Sequence, residues 1–180
     1  SAPEAERVMH EAAVVAMAYR YPGPDSLERL VEAVESLPVG LARRSLERFV
    51  EAVGSLELGQ WEELHTVTLD LSPHFVPYVG HVTWGENYRR GAFMADLKRD
   101  MERHDVDLMG ELPDHIEPVL RYLAQVPAPL TDLTDVVAAS VATMSSTLAT
   151  AAPDNPYRHV LAATHAVVER PTPVMIGVRR

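Results

Sequence analysis

Two stretches of this sequence concentrate side chains able to do chemistry. The first, Val79-Gly80-His81-Val82-Thr83-Trp84-Gly85-Glu86-Asn87-Tyr88-Arg89-Arg90-Gly91, holds two aromatics, two arginines, one glutamate and three glycines in thirteen residues. A helix–helix turn accounts for Gly85, which ends one helix, and for Glu86, which suits the dipole of the next. It leaves Trp84 and Tyr88 without a structural duty. The second stretch is Glu111-Leu112-Pro113-Asp114-His115-Ile116-Glu117-Pro118. Asp114 and Glu117 have capping-box spacing, so Asp114 is expected to order a helix start. His115 beside it is expected nearer any ligand, where an imidazole can tune affinity near neutral pH.

Catalytic and metal-binding patterns are sparse. There is no phosphate-cradling glycine loop and no G-x-S-x-G elbow, and His10-Glu11 lacks the second His of a zinc helix. His74 and His81 are spaced by two helical turns and have no obvious third ligand. The alternative enzymatic reading is an HD-type metal-dependent phosphohydrolase. It would use His104-Asp105 with His65 or His81 upstream and Asp132 or Asp135 downstream. Composition alone supplies on the order of 0.4 such dipeptides by chance. This one also falls where a helix should end, whereas a metal pair needs rigid support. No catalytic residue, metal ligand or cofactor is assigned.

The elements that must position these stretches follow from composition and periodicity. The chain has 180 residues, 47% of them hydrophobic and 23% charged, a formal net charge of −10 and no cysteine. Such a chain can bury one core. Its field disfavours nucleic-acid phosphates, and the missing thiols exclude disulfides and thiolate metal sites. The opening SAPEAERVMHEAAVV carries acids where a signal peptide carries bases. The uncharged run 136–153 is too rich in Ser and Thr to span a bilayer and reads as a buried central helix. The expectation is a cytoplasmic protein without direct membrane insertion.

Apolar spacing is helical throughout. Stripes run through Val8, Ala12, Val15, Ala16 and Tyr19, then Leu27, Leu30, Val31 and Val34, with Asp25 and Glu28 spaced as a capping box. Leu46, Phe49, Val50 and Val53 make a third. A helix from Trp61 to Leu69 comes next, then a short one begun by Ser72-Pro73. Another, from Glu86 to His104, presents Phe93, Met94, Leu97 and Met101. Past a polar loop, Ile116, Val119, Leu120 and Leu123 form a compact stripe. Thr131 or Asp132 is expected to cap the Ala/Ser/Thr helix and Asp154 the last one, which carries Tyr157, Leu161, Thr164 and Val168. The pattern predicts an all-α single domain, residues 1–169, of about seven or eight helices, with a C-terminal tail over 170–180.

In order and spacing these residues resemble the nitrate reductase delta-subunit chaperones, part of the wider NarJ–TorD–DmsD group. The likeness rests on Tyr21-Pro22, Asp70-Leu71 with Pro73, Gly85-Glu86, Arg90-Gly91, Met94, Asp96-Leu97 and Glu111-Leu112-Pro113-Asp114-His115. It runs in register from about Ala12 to Leu123, and the last third matches only as generic helix. One position departs: the family often has His where this chain has Val82. His81 next to it would point about 100° away on a helix, so that role is not carried over.

The resemblance implies an all-helical, non-enzymatic protein. It would bind the N-terminal segment of a molybdoenzyme's catalytic (alpha) subunit, for this branch that of a respiratory nitrate reductase. It would hold the client for molybdenum cofactor insertion and complex assembly. A peptide of that kind, amphipathic or basic, suits an acidic chaperone and a helix-in-groove mode. On that reading Trp84 and Tyr88 line the trough, with Glu86, Glu111 and Asp114 at its rim. Arg89, Arg90, Pro113 and His115 complete the expected peptide-binding set, and Trp84 is the leading anchor.

Overall fold

The structure, a computed structural model, describes residues 2–71 and 73–169. Nine α-helices make up the fold among them: α1 (Ala2–Ala18), α2 (Ser26–Glu35), α3 (Leu41–Gly54), α4 (Leu58–His65), α5 (Val79–Trp84), α6 (Tyr88–Arg103), α7 (Ile116–Gln125), α8 (Leu133–Ala151) and α9 (Tyr157–Val168). The all-α expectation holds, with nine helices in place of seven or eight. The residues of the expected tail, 170–180, lie outside those described, as does Ser72.

The innermost helices are α7 and α9. Seven side chains of α7 are buried, Ile116 and Pro118 to Leu123, and α1 lies along it. On α9, Tyr157, Val160, Leu161, Ala163, Thr164 and Val167 are buried between α1, α3 and α8. The buried hydroxyls of this core are paired, as burial requires. The Tyr19 hydroxyl lies 2.7 Å from the Thr164 hydroxyl, and Thr164 donates to the Val160 carbonyl. Trp61 Nε1 donates to the Tyr157 hydroxyl at 3.3 Å, and Phe49 sits against both rings.

The Ala/Ser/Thr helix α8 is not the buried centre. It buries one stripe, including Val137, Val141, Met144 and Leu148, and exposes Ala142, Thr143, Ser146, Thr147 and Thr150. Thr143, Thr147 and Thr150 donate to carbonyls four residues back, which satisfies their hydroxyls on the helix surface. The last third of the chain lacks bulky residues on that face because water, not protein, covers it.

Several termini differ from expectation. Asp25 occupies the N-cap of α2 in a helical conformation and makes no side-chain cap bond; Ser26 instead accepts from the Gly23 N–H at 2.7 Å. Helix α4 starts earlier, at a capping box of Glu57 and Gln60, and runs into a π turn over Thr66–Asp70. Residues 73–77 are not helical, so Pro73 opens no helix. Asp154 does not cap α9. Asn155 takes that role, accepting from the Tyr157 N–H at 2.9 Å while donating to Thr68 at 2.8 Å.

Candidate functional site

The two chemically rich stretches meet, and the contact that joins them begins in the backbone. Val79 N–H donates to the Asp114 carbonyl and Ile116 N–H to the Pro77 carbonyl, each at 2.9 Å. This isolated antiparallel bridge between Tyr78 and His115 is a fragment of β pairing in a helical protein. It sets the start of α5 beside the start of α7. The Tyr78 ring stands edge-on to the His115 imidazole at 5.1 Å, and its hydroxyl donates to Glu111 at 2.9 Å.

Beneath that bridge the Asp114 carboxylate is fully buried. It takes two bonds from one guanidinium, Arg90 Nε at 2.9 Å and Nη2 at 3.3 Å, and Arg90 also lies 5.7 Å from the Tyr78 ring centre. Arg90 is on α6, so this bidentate pair ties α6 to the bridge. Gly80 lies against the same pair. A Cβ there would sit 2.6 Å from Asp114 Oδ2, 3.2 Å from Arg90 Cγ and 3.3 Å from the Phe93 ring. Only the absence of a side chain lets α5 approach so closely.

The cap expected of Asp114 is made by His115 instead. His115 is the N-cap of α7, its Nδ1 accepting from the Glu117 N–H at 3.1 Å. That bond requires a neutral ring protonated on Nε2. Burial holds the imidazole below its ordinary pKa, against the pull of Glu111, Glu117 and Asp114. Asp114 does not cap; it is the buried counter-ion. Pro118, in the first turn, loses nothing, because that position has no intrahelical acceptor for an N–H. Pro113 is buried, and Glu111 also accepts from the Leu112 N–H.

From Phe93 the packing reaches a cavity. Phe93 touches the Gly80 site on one side and the Trp84 ring on the other, centroids 5.0 Å apart. Trp84 and Phe93, with Leu130, Leu133 and Val136, form the apolar lining of a cleft of about 510 Å³. Its second wall is one face of α6, where Asp96, Arg99, Asp100 and Arg103 recur at helical spacing. Thr131 and Asp132, at the start of α8, close the third side. Ligand sites occupy about 300–1,000 Å³ and combine apolar lining with polar groups, and this cleft has both.

The charged wall is internally balanced. Arg99 lies 3.6 Å from Asp96 and Arg103 3.1 Å from Asp100. Asp100 is buried and also accepts from the Tyr122 hydroxyl, which burial and that carboxylate push up to about 12. Tyr122 in turn accepts from the Leu130 N–H at 3.0 Å, fixing the loop that leads into α8.

The sequence-predicted set thus divides. Trp84 is half-buried and lines the cavity. Arg90, Glu111, Pro113, Asp114 and His115 are packed together behind it, as the support that fixes α5, α6 and α7. Tyr88 is 81% exposed, and it, Glu86 and Arg89 are solvent-facing residues that do not line the cleft. Helix α6 begins at Tyr88, capped by Asn87, rather than at Glu86. Met94 and Phe93 are half-buried, whereas Leu97 and Met101 are core. Residues the sequence reading missed are Tyr78, Gly80 and the 130–136 wall. Tyr78 and Gly80 sat in or beside the first stretch, but the wall lies some forty residues away and carries no local mark.

The residues of the phosphohydrolase reading do not assemble. His104 ends α6 with its Nδ1 2.9 Å from the Asp100 carbonyl, and Asp105 follows in a left-handed turn. His65 bonds the Tyr19 carbonyl. His74 and His81 share a small cavity with Met144 but lie on a loop and a helix, not on one helix face. Among the described residues no three His, Asp or Glu side chains are grouped to hold a metal ion. No described helix is long and apolar enough to cross a membrane. Comparison of the sequence with protein-family models and with curated proteins gives no match to either.

Proposed function

We propose that this chain is a peptide-binding assembly chaperone of the nitrate reductase delta-subunit kind. It binds the N-terminal segment of the catalytic subunit of a respiratory nitrate reductase, or of a related molybdoenzyme, in the cytoplasm. It holds that client until the molybdenum cofactor is inserted and the subunit can join its complex. Its own contribution is binding rather than catalysis.

The observation that carries this reading is the cleft lined by Trp84 and Phe93. It offers an apolar trough with a charged rim, as capture of an amphipathic peptide requires. Its Trp comes from the first of the two stretches that carry the family resemblance, and the Asp114–Arg90 pair, which joins the second stretch to the first, ties α6 to the bridge behind it. A net charge of −10 favours encounter with a basic segment. The test is calorimetry of the full chain with a peptide comprising the N-terminal residues of the nitrate reductase catalytic subunit from the source organism. Saturable binding that weakens in Trp84→Ala supports the reading; a folded protein that binds no such peptide refutes it.

A further inference from the structure

An imidazole withdrawn from water needs partners for its ring nitrogens, because each is a donor or an acceptor. This chain has eight histidines. Six have a polar partner: His10 with Ser36, His65 with the Tyr19 carbonyl, His104 with the Asp100 carbonyl, His115 with the Glu117 N–H, His159 with Arg158 and His165 with Glu169. His74 and His81 are half-buried, and neither has a hydrogen-bond or ion-pair partner among the described residues. These same two line one cavity, of about 360 Å³. Its wall also includes Met144, a buried thioether on the inner stripe of α8. Thr143 and Thr147 face it as well, but they donate to the Ala139 carbonyl at 3.4 Å and the Thr143 carbonyl at 2.9 Å, so neither has a proton to spare for an imidazole. No Asp or Glu is among the described residues of that wall.

The elements that carry the three groups are tied together. His81 is on α5 and Met144 on α8, and Ser140, one turn before Met144, donates to the Val79 carbonyl at 3.0 Å. His74 comes from the segment 73–77, which is held by the core side chain of Phe75 and by the Pro77 carbonyl, the acceptor of the Ile116 N–H. We infer that His74, His81 and Met144 form a binding site for a soft monovalent cation of the copper(I) class. Thioether sulfur and imidazole suit that ion. Mg²⁺ and Ca²⁺ require oxygen ligands, and Zn²⁺ takes three or four imidazole, thiolate or carboxylate groups, of which this wall offers two. Three neutral ligands leave only one positive charge to be stabilised in the cavity, and a protein at −10 attracts it.

The probe is Cu(I) itself, kept reduced under argon with ascorbate and offered to the full chain in competition with a chromophoric Cu(I) chelator. The folded wild-type protein is expected to withhold one equivalent from the chelator, and the chain has no cysteine that could do so instead. His74→Ala and His81→Ala should each weaken binding by about tenfold or more, since loss of an outer-shell partner alone costs about 10–100-fold. Met144→Leu conserves core volume and should weaken it as well. X-ray absorption at the copper edge should show nitrogen and sulfur neighbours in wild type and lose the sulfur in Met144→Leu. His10→Ala and His165→Ala, whose rings are partnered elsewhere, should leave the affinity unchanged. Circular dichroism shows that each variant is folded.

A folded wild-type protein that withholds no copper would overturn the inference. So would binding that survives loss of either histidine, or a wild-type absorption spectrum without sulfur, which would place the ion on imidazoles alone. Tighter binding of Zn²⁺ than of Cu(I) would overturn the choice of a soft monovalent ion. The inference does not rest on the chaperone reading. Peptide binding in the Trp84–Phe93 cleft is measured without copper and copper binding without peptide, so either can fail alone.

Discussion

Replacing Asp114 by Ala removes the counter-ion of a guanidinium that has few alternatives. Asp114 is fully buried, and the Arg90 side chain keeps only 18% of its surface in water. Breaking such a pair from one side costs about 3–5 kcal/mol, since the remaining charge is left without compensation. Arg90 retains its contact with the Tyr78 ring and some solvent, which places the loss near the lower end, about 3 kcal/mol. For a domain of this size each kcal/mol lowers the melting temperature by roughly 2–4 °C, so a fall of about 6–12 °C is expected. Urea unfolding followed by circular dichroism measures the loss directly. The double variant Asp114→Ala with Arg90→Leu should lose much less than the two single losses together, because the stranded charge is gone. On the proposed function a second consequence is expected at a distance: with α6 released, Phe93 and Trp84 should shift and affinity for the peptide should fall as well. An Asp114→Ala protein within about 0.5 kcal/mol of wild type, or strictly additive losses, would refute the assignment of Asp114 as a buried anchor.

Gly80→Ala should destabilise by about 1–3 kcal/mol through the clash with Asp114. The loss should shrink in an Asp114→Ala background, as denaturation of the single and double variants will show. His115 links stability to acidity. Because its folded pKa lies below the unfolded value of about 6.5, the unfolded chain takes up the proton first. Its share of stability is complete above that value and is lost as pH falls toward the folded pKa, where protonated Nδ1 can no longer cap α7. Melting temperatures across that window should fall less steeply in His115→Asn, which caps without titrating. Asn155→Ala removes both the α9 cap and the bond to Thr68, and should cost about 1–2 kcal/mol in the same unfolding assay.

How much of this was legible in the sequence depends on the range of the interaction. Helices α1, α3, α6, α7 and α9 follow stripes that recur every three or four residues, and their buried positions, such as Leu46, Phe49, Ile116 and Leu120, are those the spacing names. Terminal details were less legible. Asp25, Asp114 and Asp154 all have the right chemistry to cap, but the fold caps with a neighbour or not at all; Asp25 and Asp154 stay exposed beside an arginine one turn on, and Asp114 is taken by a tertiary partner. Asp114 shows the competition clearly: its spacing to Glu117 advertises a capping box, while its carboxylate is taken by Arg90, twenty-four residues earlier. The site was half legible. Trp84 stood out as an aromatic without a structural duty, and it does line the cleft. The opposite wall, Leu130 to Val136, reads locally as a loop and a helix start, so only the packing of α8 against α5 reveals it.

The proposed function seats the N-terminal segment of a molybdoenzyme catalytic subunit in the Trp84–Phe93 cleft. Calorimetry with that client peptide, run side by side on wild type and on the cavity-filling Val136→Trp variant, tests it most directly. Saturable binding to wild type, weakened by about tenfold or more in the variant with both proteins equally folded, is the expected result. Equal affinity for the two, or no binding to a folded wild-type protein, would contradict it.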